Sequence, residues 1–154
     1  MNRLIMIKGY FSHKSLCEEI NIPESTLSTW LSPNNMILPS FDKLDFFCNK
    51  LHAHTSDLFI ECSPFSTVIL APNNSMRNIR NRLVAYCRDR GLIKIQSRIL
   101  FLFQPSDSNY YSCESLYYSY TRTNDYRCIP VQQLDEFAMR LEIETYKLLG
   151  GDTI

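Results

Sequence analysis

Residues 12–31, SHKSLCEEINIPESTLSTWL, constrain the fold of this chain more than any other stretch. Ser12 is placed to cap a helix, because its hydroxyl can accept from the unpaired amides of a first turn. Leu16, Cys17 and Ile20 follow at helical spacing and make one apolar stripe. Asn21 tolerates the left-handed backbone that ends a helix abruptly, and Pro23 pre-sets the start of another. Leu27, Trp30 and Leu31 then form a second buried stripe, with Glu24, Ser25, Thr26, Ser28 and Thr29 turned outward. The pattern predicts two short helices joined by a tight turn, with Trp30 as a core residue locking the second onto its neighbours. A merely solvated second helix would more often carry Lys/Glu pairs four residues apart.

This arrangement resembles the helix-turn-helix of phage repressor and Cro-type regulators, with His13, Leu16, Cys17, Asn21, Ile22, Leu27 and Trp30 at the pattern's positions. Cys17 stands where that family usually has alanine, and Asn21 where it usually has glycine. The likeness continues through Leu38-Pro39-Ser40, a helix with Phe41, Leu44, Phe47 and Leu51 inward, and a short last helix near residues 56–60. It covers about the first 60 residues and implies a five-helix unit. The resemblance implies base contacts from Glu24, Ser25 and Thr29. It also implies phosphate contacts from His13, Thr26 and Ser28, and the turn residues Asn34 and Asn35 are candidates for more. Glutamate can accept from a cytosine amino group, and serine or threonine can serve several bases.

Charge tempers that expectation. Sixteen basic and sixteen acidic residues cancel, and residues 1–75 carry a net of −2 against +2 for residues 76–154. Specific DNA binding then needs a local positive rim and helix N-termini facing phosphates. Six cysteines are scattered without a C-x-x-C pair, and no secretory h-region is visible near the start, which suits a reducing cytoplasm. His52, His54 and Cys62 match no zinc spacing, so no metal and no cofactor is expected. No apolar run reaches the length of a membrane span.

The second half changes character near Ser63, which sets expected domains of 1–62 and 63–154. Met76 to Arg90 reads as a helix closed by Gly91, with Arg77, Arg80 and Arg88 on one face. Thr67–Ala71, Leu92–Ile95, Ile99–Phe103, Leu116–Thr121 and Tyr126–Val131 read as strands, and residues 132–149 as one final helix. The resulting expectation is an α+β domain, two helices on a mainly antiparallel sheet. Residues 110–126 hold six of the nine tyrosines. Tyr110, Tyr117, Tyr118, Tyr120 and Tyr126 are candidates for a dimer surface or for a pocket taking a small or protein effector. With only Lys94 and Lys147 available, and no serine in a tight turn before a strand, a self-cleaving peptidase is excluded. No other catalytic set is visible.

Together these readings point to a sequence-specific DNA-binding transcriptional regulator, a repressor of phage or mobile-element kind. It would act in the cytoplasm as a homodimer on a palindromic double-stranded operator. The alternative is a protein-interaction module, antitoxin-like or antirepressor, whose second domain captures a partner.

Overall fold

The computed structural model describes residues 1–10, 12–32, 34, 38–60, 72–122 and 128–150. Helix α1 (Asn2–Ile7) buries Leu4 and Ile5 and ends at Gly9, whose φ of 79° only glycine adopts cheaply. Helix α2 (His13–Ile20) starts at Ser12, whose hydroxyl accepts from the Ser15 amide at 3.2 Å. Asn21 takes the left-handed conformation at φ 56°, and the Ile22 amide closes on the Cys17 carbonyl at 3.1 Å. After Pro23 comes α3 (Glu24–Leu31), then α4 (Phe41–Lys50) and a 3-10 helix at Thr55–Phe59.

The remainder is helical too. Helix α5 (Ser75–Asp89) is capped by Asn74, which accepts from the Arg77 amide at 3.0 Å. Helices α6 (Ile95–Phe103), α7 (Tyr110–Thr121), α8 (Val131–Leu141) and α9 (Thr145–Leu149) follow. Among the described residues there is no strand, so the α+β domain with an antiparallel sheet is overturned. Residues 99–103 belong to α6. Their apolar run looks alike to a buried strand and a buried helix, and the inward set Arg98, Ile99 and Leu102 follows the helical period. Residues 116–121 belong to α7, where Cys113, Tyr117 and Tyr120 fall inward at spacings of four and three. Tyrosine's strand preference is weak enough for such packing to override it. Leu92 and Ile93 lie in the α5–α6 turn, and residues 128–130 run irregularly into α8. The single helix expected over 132–149 is split at Glu142, which is left-handed at φ 53°. The strand expected at Thr67–Ala71, most of that at Tyr126–Val131 and the boundary near Ser63 lie outside the described residues.

Two cores hold these helices. One gathers Leu4, Leu16, Ile20, Leu27, Phe47 and Leu51 under α1–α4. The larger joins α5 to α9 and reaches back to Phe41 and Leu44, so α4 serves both cores from successive turns. Apolar burial of this kind stabilises by about 25 cal/mol per Å².

The junction between the halves also holds a polar network. Buried Asp45 accepts from Thr55 Oγ1 and from the Ser75 amide, each at 2.7 Å, and from the Ser75 hydroxyl. Asn73 accepts from the Thr55 amide at 3.0 Å and donates to the Ala53 carbonyl at 2.8 Å and to Asn49 at 2.7 Å. Asp45 therefore sits at the N-terminus of α5, where a carboxylate also complements the helix dipole.

Candidate nucleic-acid interface

Leu27 is the fully buried residue of α3, and Trp30 and Leu31 are half-buried beside it. Glu24, Ser25 and Ser28 are exposed, while Thr26 and Thr29 are half-buried. The Thr29 hydroxyl donates to the Ser25 carbonyl at 2.8 Å, so its proton is engaged on the helix backbone. Of the three residues assigned to base contact, Glu24 and Ser25 therefore stand fully outward and Thr29 lies on the flank.

His13 and Lys14 are exposed in the first turn of α2. A cleft of about 440 Å³ lies at the α2–α3 turn, lined by Lys14, Cys17, Glu18, Asn21, Ile22, Pro23 and Glu24. Burial, with a smaller contribution from Glu24, pushes the Cys17 thiol above its usual range, which keeps it protonated and unreactive. Asn34 is exposed, and Asn35 lies outside the described residues. Lys43 holds its ammonium 6.0 Å from the centre of the Trp30 ring, and Lys8 donates to the His52 carbonyl at 3.1 Å.

Trp30 corrects one expectation. It packs against the first core but is half-buried rather than sealed, and with Leu31, Leu44 and Leu58 it forms part of the wall of an apolar cavity of about 300 Å³. The tyrosines also sit differently from a paired hairpin. Tyr117 and Tyr120 are buried in the larger core, Tyr120 against Phe103 and Phe137. Tyr110 and Tyr118 are half-buried, and the Arg122 guanidinium lies 4.4 Å from the Tyr118 ring centre. Tyr126 lies outside the described residues. Of the three arginines expected on one face of α5, Arg77 and Arg88 are exposed and Arg80 is half-buried.

Reasoning from the sequence missed a buried arginine. Arg98 is 7% exposed, donates to the Leu92 and Ile93 carbonyls at 2.7 and 3.0 Å, and reaches the Tyr117 hydroxyl at 3.3 Å. It closes the α5–α6 turn and ties α7 to it. The signal was present as a charge within an apolar run, at helical spacing from Leu102. Sequence reading also passed over Tyr111, which is 82% exposed on α7.

Comparison with protein-family models, curated proteins and solved structures finds no match in any of the three. Among the described residues no three metal-ligating side chains cluster, and no helix is long and apolar enough to cross a membrane.

Proposed function

We propose that the chain is a sequence-specific DNA-binding transcriptional regulator, a repressor working in the cytoplasm, with α3 as a helix that enters the major groove. One observation carries this reading: α3 is anchored through Leu27 and presents a short, small-polar face with Glu24, Ser25 and Ser28 fully outward. Short polar side chains let a helix approach base edges closely, and His13 and Lys14 beside it suit the flanking phosphates. The net charge of zero, with −2 over residues 1–75, favours the second reading, a protein-interaction module, because phosphate neutralisation supplies much of DNA affinity.

Selection of duplexes from a randomised pool by the purified protein separates the two. Enrichment of a defined sequence is expected. Ser25→Ala or Thr29→Ala should then cost about 1–3 kcal/mol at one position of that sequence, and Ser25→Ala, at an exposed position, should leave thermal unfolding unchanged. No enrichment at low salt, or two variants that bind as tightly as the parent, overturns the assignment of α3.

A further inference from the structure

The two halves of the chain repeat one another. Among the described residues, five helical segments occupy residues 2–59 and five occupy residues 75–149. Left-handed residues fall after the first, second and fourth segments of each: Gly9 and Gly91, Asn21 and Gln104, His52 and Glu142. Gly150, after the last helix, is the one other left-handed position among the described residues. The closing bonds repeat as well. Tyr10 and Leu92 donate to the carbonyls of Ile5 and Cys87, and Ala53 and Ile143 to those of Cys48 and Ala138. Only Gln104 differs, closing on Leu100 at 3.1 Å, because Pro105 has no amide to make the longer bond.

Over the last two segments of each half the side chains keep one register. A shift of 90 residues places Leu44 on Leu134, Asp45 on Asp135, Phe47 on Phe137, Leu51 on Leu141 and Thr55 on Thr145. The paired polar residues make the same hydrogen bond, Thr55 to Asp45 at 2.7 Å and Thr145 to Asp135 at 2.6 Å. General helical packing does not require a threonine and an aspartate ten residues apart to bond identically in both halves. The two last segments, Thr55–Phe59 and α9, pack on each other, as do α4 and α5. One chain thus joins two like units through the last element of each and through the packing of α4 on α5.

In this correspondence α7 takes the place of α3. A shift of 86 residues sets Cys113 on Leu27, both buried, with Tyr111 on Ser25 and Ser115 on Thr29. The second unit has a longer turn before this helix, residues 105–109 against 22–23. Resting on the reading of α3 given above, we propose that α7 is a second duplex-reading helix, so that one chain grips two segments of a single double-stranded DNA. The faces are unequal. The α3 face is small and polar, whereas α7 presents Tyr111 at 82% exposure together with Ser112 and Ser115. An aromatic ring suits the apolar contact with a thymine methyl, and its hydroxyl can bond a base edge. The two half-sites therefore differ in sequence, and the bound species is one chain per duplex rather than a pair of chains on a palindrome.

The test uses the full chain and duplexes with a randomised centre long enough for two major-groove segments. Parent, S25A/T29A and Y111A/S115A proteins each select from the pool, and native mass spectrometry counts chains per duplex. The expected result is a bipartite, asymmetric site bound by one chain. Each double variant should lose preference in one half-site only, with affinity down by about tenfold or more, and Y111A/S115A should unfold with the parent because Tyr111 and Ser115 are exposed. Loss confined to S25A/T29A, with Y111A/S115A indistinguishable from parent, overturns the role of α7 and leaves that of α3 standing. Two chains on a palindrome also overturn it. No selection by the parent removes both readings together.

Discussion

The repeated threonine–aspartate bond supplies an internally controlled measurement of what burial does to one interaction. Asp45 and Asp135 each accept from a threonine ten residues on, at 2.7 and 2.6 Å. Asp45 is buried at 8% exposure and also takes the Ser75 amide and hydroxyl, whereas Asp135 is exposed and holds Thr145. Hydrogen bonds to a charged group contribute roughly 1.5–3 kcal/mol each when buried, and removal of the acceptor strands its donors. Three donors left by Asp45→Ala, with some relief from rotating the two hydroxyls, give a loss of about 4 kcal/mol. A single exposed bond lost in Asp135→Ala gives about 0.5–1 kcal/mol. Asp45→Asn keeps the shape and one good acceptor and should fall between them. Urea denaturation followed by far-UV circular dichroism reads all three against the parent, with Trp30 fluorescence reporting the first half separately. A total stability of roughly 5–15 kcal/mol makes the Asp45→Ala loss easy to resolve. If the two alanine variants agree to within about 1 kcal/mol, Asp45 does not bind the halves together as argued.

Further outcomes follow from the same geometry. Arg98→Met should lower stability by about 3–5 kcal/mol, since it strands two carbonyls and the Tyr117 hydroxyl, and Arg98→Lys should not rescue it because a point charge cannot reach all three; a variant that melts with the parent refutes this. Trp30→Ala should cost only about 2 kcal/mol, half of what a sealed aromatic would, because the ring is half-buried on a cavity wall; complete unfolding would show the ring to be core. Burial pushes the Cys48 thiol up to about 12 and that of Cys87 up to about 11. Both raised values favour the protonated folded state, so their contribution is complete below the unfolded thiol pKa of about 8.5 and declines as pH rises towards the folded values. Urea midpoints should fall between pH 8 and pH 11, and Cys48→Ala should flatten that fall; an unchanged slope in the variant would remove Cys48 as a source.

Local chemistry made α2 and α3 legible from the residues alone. Ser12 caps, Asn21 turns, Pro23 restarts, and one stripe on each helix faces inward, all within 20 residues. The same logic found α4 and α5 from their apolar periods, and the outward placement of Glu24, Ser25 and Ser28 on α3. It failed at residues 95–121, where tyrosine-rich and all-apolar runs favour strand and helix nearly equally. There the decision belongs to the tertiary structure: Arg98 needs the carbonyls of Leu92 and Ile93 for its guanidinium, and Phe137 needs Tyr120 and Phe103 for its ring. Glu142 shows the same limit, since nothing local favours a left-handed glutamate at that position. The turn holds because Ile143 closes on Ala138, Arg90 pairs with Glu142 at 2.8 Å, and α9 is seated on α5. Sequence by itself determined the elements whose backbone bonds are completed by residues within a turn or two. The fold of the second half, and with it the repeat, depended on partners tens of residues away, whose contribution exceeds the small differences in intrinsic preference that a local reading can weigh.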